Sequence, residues 1–283
     1  MTESPVISEL ESVLAHEPVD EVLVALSMDK HRALVETIVH LCEEQGIIVR
    51  VSTEMFTPRI ARSRIDELDG IPIVTIESGP QDGWPLIAKR LIDIVGSAVL
   101  LLLLAPLCAI IAVLIKLDSP GAVFFWQERI GLNKRHFWLV KFRTMGGEAD
   151  KQQSLLEGLN EAQGPVFKIK NDPRITRIGK FLRHFSIDEV PQLFNVLKGD
   201  MSLVGPRPLP VRDVKRIDTH SHKRRFSVKP GVTCLWQVNG RSNVDFTHWV
   251  QMDLEYIDQW SLGLDLKILV KTIPAVLRGS GAY

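Results

Sequence analysis

The chain has few cysteines, and they lack the spacing that binds zinc. Its 283 residues include only three cysteines, Cys42, Cys108 and Cys234, and no CxxC pair occurs. Single cysteines so far apart give no support for a zinc site or a disulfide framework, and a reducing compartment fits them. Net charge is also absent, because 34 Lys and Arg residues balance 34 Asp and Glu residues. The overall charge therefore points to no class of partner.

Three further patterns are missing. The first residues are polar and acidic and do not resemble a secretory signal. No GxGxxG occurs in residues 1–80, so nucleotide binding there is unsupported. A second long apolar run is absent as well, which disfavours a polytopic lipid phosphotransferase.

Residues 1–80 have the pattern of a small, partial α/β domain, Rossmann-like in its β-α-β order. Apolar runs predict strands at 21–26, 47–51 and 71–76, and helical spacing predicts a helix over 30–45. The segment is too short for a complete doubly wound sheet, so we expect a structural or assembly role. Residues 78–83 read as a linker.

The one long apolar run covers 94–115, which are 22 residues without a charge. That is long enough for a hydrocarbon core of about 30 Å. Pro106 near its middle predicts a break or sharp kink, and basic residues flank both ends, which favours both ends on the cytoplasmic side. We therefore expect a re-entrant membrane helix over 84–118. A spanning helix and a buried core helix are the alternatives.

The remaining chain, 119–283, is polar with local positive charge. Residues 126–186 contain twelve basic and six acidic residues, and a second basic cluster covers 212–229. Such fields attract phosphates and anionic lipid, although a solvated face is the ordinary explanation. Short strands are predicted at 123–126 and 137–142, and amphipathic helices at 190–197 and 249–273.

Asp188 and Glu189 are adjacent acids within this basic region. Ser186 and Glu189 fit a capping box, whereas Pro191 suits Asp188 as the N-cap, so both acids are predicted in the first turn of a helix. There a carboxylate stays ionised and can serve as a nucleophile beside an anion site. Helix capping alone is the simpler reading. Arg183 and Arg207, the latter in a Gly-Pro-Arg-Pro turn, favour phosphate chemistry.

Several sequence blocks carry a resemblance to a known family. They are 89–93 (KRLID), 127–131 (QERIG), 141–145 (KFRTM), 172–176 (DPRIT), 182–183 with 188–208 (DEVPQLFNVLKGDMSLVGPRP), 229–233 (KPGVT) and 236–241 (WQVNGR). In order and spacing they closely resemble the bacterial sugar transferases that start glycan assembly on polyprenyl phosphate, the monotopic phosphoglycosyl transferases. Residues 1–80 resemble the later part of the α/β domain in longer members of that family.

The resemblance implies an α+β fold, with a re-entrant membrane helix and a mainly helical catalytic domain at the membrane interface. It also implies transfer of a sugar-1-phosphate from a UDP-sugar to polyprenyl (undecaprenyl) phosphate, with release of UMP. Asp188 would be the nucleophile that carries the phosphosugar, and Glu189 its partner and the Mg²⁺ ligand. The phosphate-binding candidates implied by the resemblance are Arg183, Arg207, Lys141, Arg129, Arg143 and Arg241.

The expected setting is the cytoplasmic face of a bacterial inner membrane, early in exopolysaccharide, O-antigen or capsule assembly. The expected partners are the UDP-sugar, polyprenyl phosphate and membrane lipid, without nucleic acid, and a homodimer through the N-terminal part stays open. Two other functions compete. One is a lipid-linked glycosyltransferase that releases UDP, and the other is a non-catalytic membrane adaptor.

Overall fold

The structure is a computed structural model. It describes residues 5–26, 28–52, 62–68, 71–77, 80, 83–147, 149, 154–161, 164–167, 169, 172–217, 221–239 and 245–278.

The N-terminal part is an α/β unit in which the predicted helix and all three predicted strands are present. Its elements are α1 (Pro5–His16), β1 (Glu21–Val24), α2 (Met28–Gln45), β2 (Ile48–Ser52), β3 (Arg62–Leu68) and β4 (Ile71–Glu77). The sheet order is β1-β2-β4-β3. β1 and β2 are parallel, but β4 is antiparallel to both β2 and β3. The Rossmann-like prediction thus holds for the first β-α-β unit alone, and α1 and β3 were missed.

The apolar segment forms one helix, α3 (Trp84–Asp118), which is 35 residues long and continues through Pro106. The predicted break is therefore wrong at the level of secondary structure, while the sharp kink, its alternative, stays a prediction, because Pro106 lacks the N–H that a helix residue donates to the carbonyl of Leu102. The most apolar 18 residues have a mean hydropathy of 3.1, and only 11% of them are buried. Among the described residues, α3 is the one helix long and apolar enough to cross a membrane.

The C-terminal part combines short strands with several helices. Its elements are β5 (Phe124–Ile130), β6 (His136–Phe142), α4 (Arg177–His184), α5 (Gln192–Lys198), β7 (Ser202–Val204), β8 (Leu209–Pro210), α6 (Val211–Val214), β9 (Gly231–Thr233), α7 (Leu235–Asn239), α8 (Phe246–Asp258) and α9 (Leu262–Arg278). β5 lies between β6 and β8 in an antiparallel sheet, and β7 pairs with β9 in parallel.

The single helix predicted over 249–273 is wrong, because the chain forms α8 and α9 with a break between them. The Asp245 side chain caps the start of α8 by accepting from the His248 amide. Gln259 then leaves the helical conformation. Ser261 restarts the helix, since its hydroxyl accepts a hydrogen bond from the Leu264 amide at 3.1 Å.

Polar residues near the N-terminal end of α3 attach it to the C-terminal part. Lys89 donates to the Val204 carbonyl at 3.0 Å. Arg90 donates to the carbonyls of Val196 and Leu197 at the end of α5, at 2.6 and 2.8 Å. The buried carboxylate of Asp93 accepts from the Leu203 amide at 2.9 Å. These contacts hold this end of α3 against α5 and β7.

The other end of α3 is held by the same part of the chain. Ile111 and Ile115 are buried in one cluster with Phe142 of β6 and Leu182 of α4. The carboxylate of Asp118 accepts a hydrogen bond from the Ile178 amide at 3.1 Å. Both ends of α3 thus contact one body of structure, while its apolar middle is exposed.

Candidate active site

Asp188 and Glu189 lie in a 3₁₀ turn, Ile187–Glu189, that leads into α5. Ser186 precedes this turn with φ 55°, a left-handed conformation, and its side chain makes no capping hydrogen bond. The capping box is therefore wrong, and Pro191 rather than Asp188 is the N-cap of α5. The left-handed residue separates α4 from the 3₁₀ turn, so the two acids stand just ahead of α5 rather than inside its first turn.

Asp188 is buried, and its carboxyl group is the unusual acid of the pair. Burial and the adjacent Glu189 charge raise the pKa of Asp188 to about 6, against the opposing effect of Lys141, Arg183 and Arg207. Burial disfavours the carboxylate, whereas the cations favour it. The group is ionised in most molecules at neutral pH, yet it is a stronger base than an exposed aspartate.

Glu189 is paired directly with a cation. Its Oε1 accepts from the guanidinium of Arg207, and both side chains are partly buried. Burial alone would raise the pKa of Glu189, but Arg207 and Lys141 outweigh it and lower the pKa below its ordinary value. The same contact raises the pKa of Arg207 even though burial opposes its charge. Glu189 therefore stays anionic, and Arg207 stays cationic.

Three other cations from the predicted set act on the pair. Lys141 of β6 lies over the Phe125 ring at 5.3 Å. Burial, with the repulsion of Arg129, lowers the pKa of Lys141 to about 8, and Asp188 opposes that shift. Burial likewise lowers the pKa of Arg183, which Asp188 opposes. Burial and Arg207 lower the pKa of Arg129 to about 10.

The structure thus brings four predicted cations, Lys141, Arg183, Arg207 and Arg129, around two carboxylates. Four positive charges face two negative charges, so the group keeps an excess of positive charge. Such an excess favours an anion carrying two or more charges, such as a diphosphate.

Arg143 is placed differently from its prediction. Its guanidinium donates to the carbonyls of Ser119 and Pro120, each at 2.7 Å, just beyond the end of α3. A buried arginine committed to main-chain carbonyls stabilises the exit from α3, and we remove it from the phosphate-binding set. Arg241 lies outside the described residues, so its predicted role stays a prediction.

Sequence reasoning assigned no role to two residues that fix the cations. The Thr144 hydroxyl accepts from Arg183 Nε at 2.9 Å. Gln127 accepts from Arg129 through its side-chain oxygen at 2.6 Å. Both lie in blocks that carry the family resemblance, 141–145 and 127–131. Membership of those blocks is the sequence feature that could have indicated their roles.

The carboxylates present fit only one kind of Mg²⁺ site. No group of three or more His, Cys, Asp or Glu side chains that could hold a metal occurs in the described part of the chain. Mg²⁺ commonly binds one or two carboxylates together with substrate phosphates. Glu189, the predicted ligand, therefore suits a Mg²⁺ ion that is shared with a bound diphosphate, and not a closed protein cage.

Comparisons with known proteins agree on one family. The family model described as bacterial sugar transferase matches residues 84–279. The galactosyl transferase CpsE of Streptococcus agalactiae is 42% identical over 254 residues, 88% of this chain and 55% of CpsE. The exopolysaccharide production protein ExoY of Rhizobium meliloti is 40% identical over 200 residues, 69% of this chain and 88% of ExoY.

A third relative matches nearly the whole chain. The UDP-glucose:undecaprenyl-phosphate glucose-1-phosphate transferase of Klebsiella pneumoniae is 35% identical over 284 residues, 98% of this chain and 58% of that protein. The chain thus spans little more than half the length of the CpsE and Klebsiella proteins. With a family match over most of its residues, centred on the elements that carry Asp188, the chain belongs to the bacterial sugar transferase family.

Proposed function

We propose that this protein transfers a sugar-1-phosphate from a UDP-sugar to polyprenyl (undecaprenyl) phosphate and releases UMP. The observation that carries the proposal is the buried Asp188 beside Glu189, within four cations, on a body that holds an exposed apolar helix. The name of the Klebsiella relative describes such a transfer for glucose. For this chain the sugar is left as an unspecified hexose.

In the first half-reaction, a carboxylate oxygen of Asp188 attacks the β-phosphorus of the UDP-sugar. A phosphorus–oxygen bond forms to Asp188, and the anhydride bond to the α-phosphate breaks with its electron pair leaving on UMP. The product is an aspartyl-phosphosugar. The raised pKa of Asp188, about 6, supports a carboxylate that is ionised near neutral pH and more nucleophilic than an exposed one.

In the second half-reaction, a phosphate oxygen of the polyprenyl phosphate attacks the same phosphorus. The bond to Asp188 breaks, and the carboxylate is regenerated together with a polyprenyl diphosphate sugar. One phosphoanhydride is consumed and another is formed, so the overall exchange has little net driving force. We expect a nearly reversible reaction that later steps of glycan assembly pull forward.

The cations hold and neutralise the phosphates during both steps. Phosphoryl transfer depends mainly on alignment and charge stabilisation. Arg207 is the most firmly placed, because Glu189 binds its guanidinium, while Lys141 and Arg183 act directly on Asp188. Mg²⁺ held at Glu189 would add charge neutralisation for the diphosphate.

The attachment of α3 supports a membrane helix with both ends on the cytoplasmic face. Asp93 and Ile115 are about 33 Å apart along a straight helix at ~1.5 Å per residue, about the thickness of the hydrocarbon core. A crossing helix would place those two residues on opposite sides of the membrane. Here both are buried against the same body of structure, which favours the re-entrant arrangement near Pro106.

Product identity tests the proposal against its alternatives. Detergent-solubilised protein with polyprenyl phosphate and a panel of UDP-sugars should form UMP, whereas a glycosyltransferase would form UDP. Asp188→Asn should abolish UMP formation, and Asp258→Asn, at an exposed ion pair with Arg224, should keep it. An adaptor would give neither nucleotide. UDP as the product, or normal UMP formation by Asp188→Asn, would overturn the proposal.

A further inference from the structure

A second arginine–carboxylate pair lies next to residues 205–208, which are called the Arg207 turn below. Arg225 Nη2 and a carboxylate oxygen of Asp253 form an ion pair with 2.7 Å between the two atoms, and each side chain is only 1% exposed. The Arg225 guanidinium lies 5.3 Å from the Trp249 ring centre. A buried charge is costly unless it is paired and hydrogen-bonded. Arg225 has little access to solvent for binding substrate, so its presence needs a different explanation.

The other partner of Arg225 supplies that explanation. Its Nη2 donates a hydrogen bond at 2.8 Å to the main-chain carbonyl of Arg207. Arg207 in turn binds Glu189 through its own guanidinium. Asp253, Arg225, Arg207 and Glu189 therefore form a continuous chain of contacts from the interior of the body to the candidate active site.

The whole Arg207 turn is fixed in the same way, carbonyl by carbonyl. The Pro206 carbonyl accepts from the Gly231 amide at 2.9 Å. The Pro208 carbonyl accepts from Arg129 at 2.9 Å. Three successive carbonyls thus have donors from three separate segments. Gly231 is required there, because a Cβ would clash with Gly205.

We propose that Arg225, held by Asp253, is a positioning residue that fixes the main chain of Arg207 and so aims its guanidinium at Glu189 and the substrate phosphates. The consequence for rate rests on the proposed function. The structural part of this proposal does not rest on that function, because the hydrogen bond to the Arg207 carbonyl is present whatever reaction the protein catalyses. Misplacement of a phosphate-binding group by about 1 Å lowers rates by about 100-fold.

A kinetic experiment separates an effect on the orientation of the Arg207 guanidinium from an effect on the stability of the fold. Arg225→Met should lower kcat for UMP formation by about 100-fold, with a smaller change in KM for the UDP-sugar. Arg225→Lys keeps a buried cation and should recover part of the rate. The double variant Arg225→Met/Asp253→Leu removes both charges, so it should regain the melting temperature but not kcat. Arg216→Met, which removes an exposed pair with Glu157, is the control with unchanged kcat.

Hydrogen exchange followed by mass spectrometry gives a readout without turnover. In Arg225→Met, the amides of Gly205, Arg207 and Leu209, the three that this proline-containing segment carries, should exchange about tenfold faster, as expected for loss of one charge-assisted hydrogen bond. Exchange in β4, which lies away from Arg225, should not change. Wild-type kcat in the double variant, or unchanged exchange in 205–209, overturns the positioning role. If the wild-type protein forms no UMP, the proposed function fails, and the exchange result alone decides this inference.

Discussion

The α/β unit and the C-terminal body are built from different kinds of interior. The unit packs apolar side chains, with Leu14, Val35, Cys42 and Val49 among its buried core. The C-terminal body also has apolar clusters, but it buries charged residues such as Arg225 and Asp253 between them. The first interior follows from apolar periodicity. The second depends on individual pairings that hold the active site in place.

Arginines of α3 and of the C-terminal body act repeatedly as donors to main-chain carbonyls. Arg90 binds the end of α5, Arg143 the residues after α3, Arg129 the Pro208 carbonyl and Arg225 the Arg207 carbonyl. A guanidinium offers five N–H donors in a fixed plane, so it can satisfy several carbonyls where no strand or helix does so. The short elements around Asp188 are positioned by these contacts.

The largest effect is expected at Arg207. Arg207→Met removes the guanidinium that binds Glu189 and faces the phosphates, so UMP formation should fall by about 10²- to 10³-fold. Arg207→Lys keeps the charge without the planar fork of donors, so its rate should lie between those of the wild type and Arg207→Met. Steady-state kinetics measures this, with melting temperature as the check on folding. A rate near wild type in Arg207→Met would remove this residue from phosphate binding.

An intermediate effect is expected at Arg90. Arg90→Met removes two charge-assisted hydrogen bonds to the end of α5, which should lower the free energy of unfolding by about 3 kcal/mol. Transfer should slow, because α5 begins just after Glu189. The loss should be smaller than in Arg207→Met, because Arg90 contacts the far end of α5. Denaturant titration and kinetics measure the two effects.

The matched control removes similar stability from the α/β unit. Ile38→Ala leaves a cavity in the core of that unit and should also cost about 3 kcal/mol, with the rate unchanged. Equal losses of rate in Arg90→Met and Ile38→Ala would contradict the claim that only the interior of the C-terminal body holds the active site in place.

The smallest effect concerns the contact between the two regions. Lys134 donates to the Gln45 side chain at 2.8 Å. Burial, with Lys223, lowers the pKa of Lys134 from 10.5 to about 8. Between these values the unfolded chain binds more protons than the folded one, so stability should rise with pH there. Below pH 8 both states are protonated, so the destabilising cost of the buried charge is fully present and does not change with pH. Melting temperatures should show this rise in the wild type and a smaller rise in Lys134→Met, in which Lys141, with a pKa also lowered to about 8, still titrates. An identical rise in the variant would contradict the assignment.

Sequence patterns predicted the parts of the molecule that depend on local or periodic signals. Strands β1, β2 and β4 and helix α2 of the α/β unit, the apolar helix and the Asp188–Glu189 pair all followed from spacing or from the family resemblance, whereas α1 and β3 did not. Ser186 could not be predicted, since a left-handed serine depends on how α4 and α5 pack. The break at 259–261 was missed because apolar spacing continues on both sides of it.

The roles of individual arginines were the least predictable feature. Lys141 and Arg143 are two residues apart in one sequence block, yet one acts on Asp188 and the other binds carbonyls after α3. Nothing local distinguishes them, because the tertiary fold decides which carbonyls lack a backbone donor. The role of Arg225 was not predicted for the same reason. Its partner is an atom of the Arg207 main chain, which no side-chain pattern indicates.

The most direct test of the account is a single turnover with a UDP-sugar labelled in the sugar, without polyprenyl phosphate. Acid quenching, proteolysis and mass spectrometry then locate the label. The account predicts a phosphosugar on Asp188 together with an equal amount of UMP, and loss of both in Asp188→Asn under the same conditions. UMP formation without label on Asp188, or label on another residue, would contradict it.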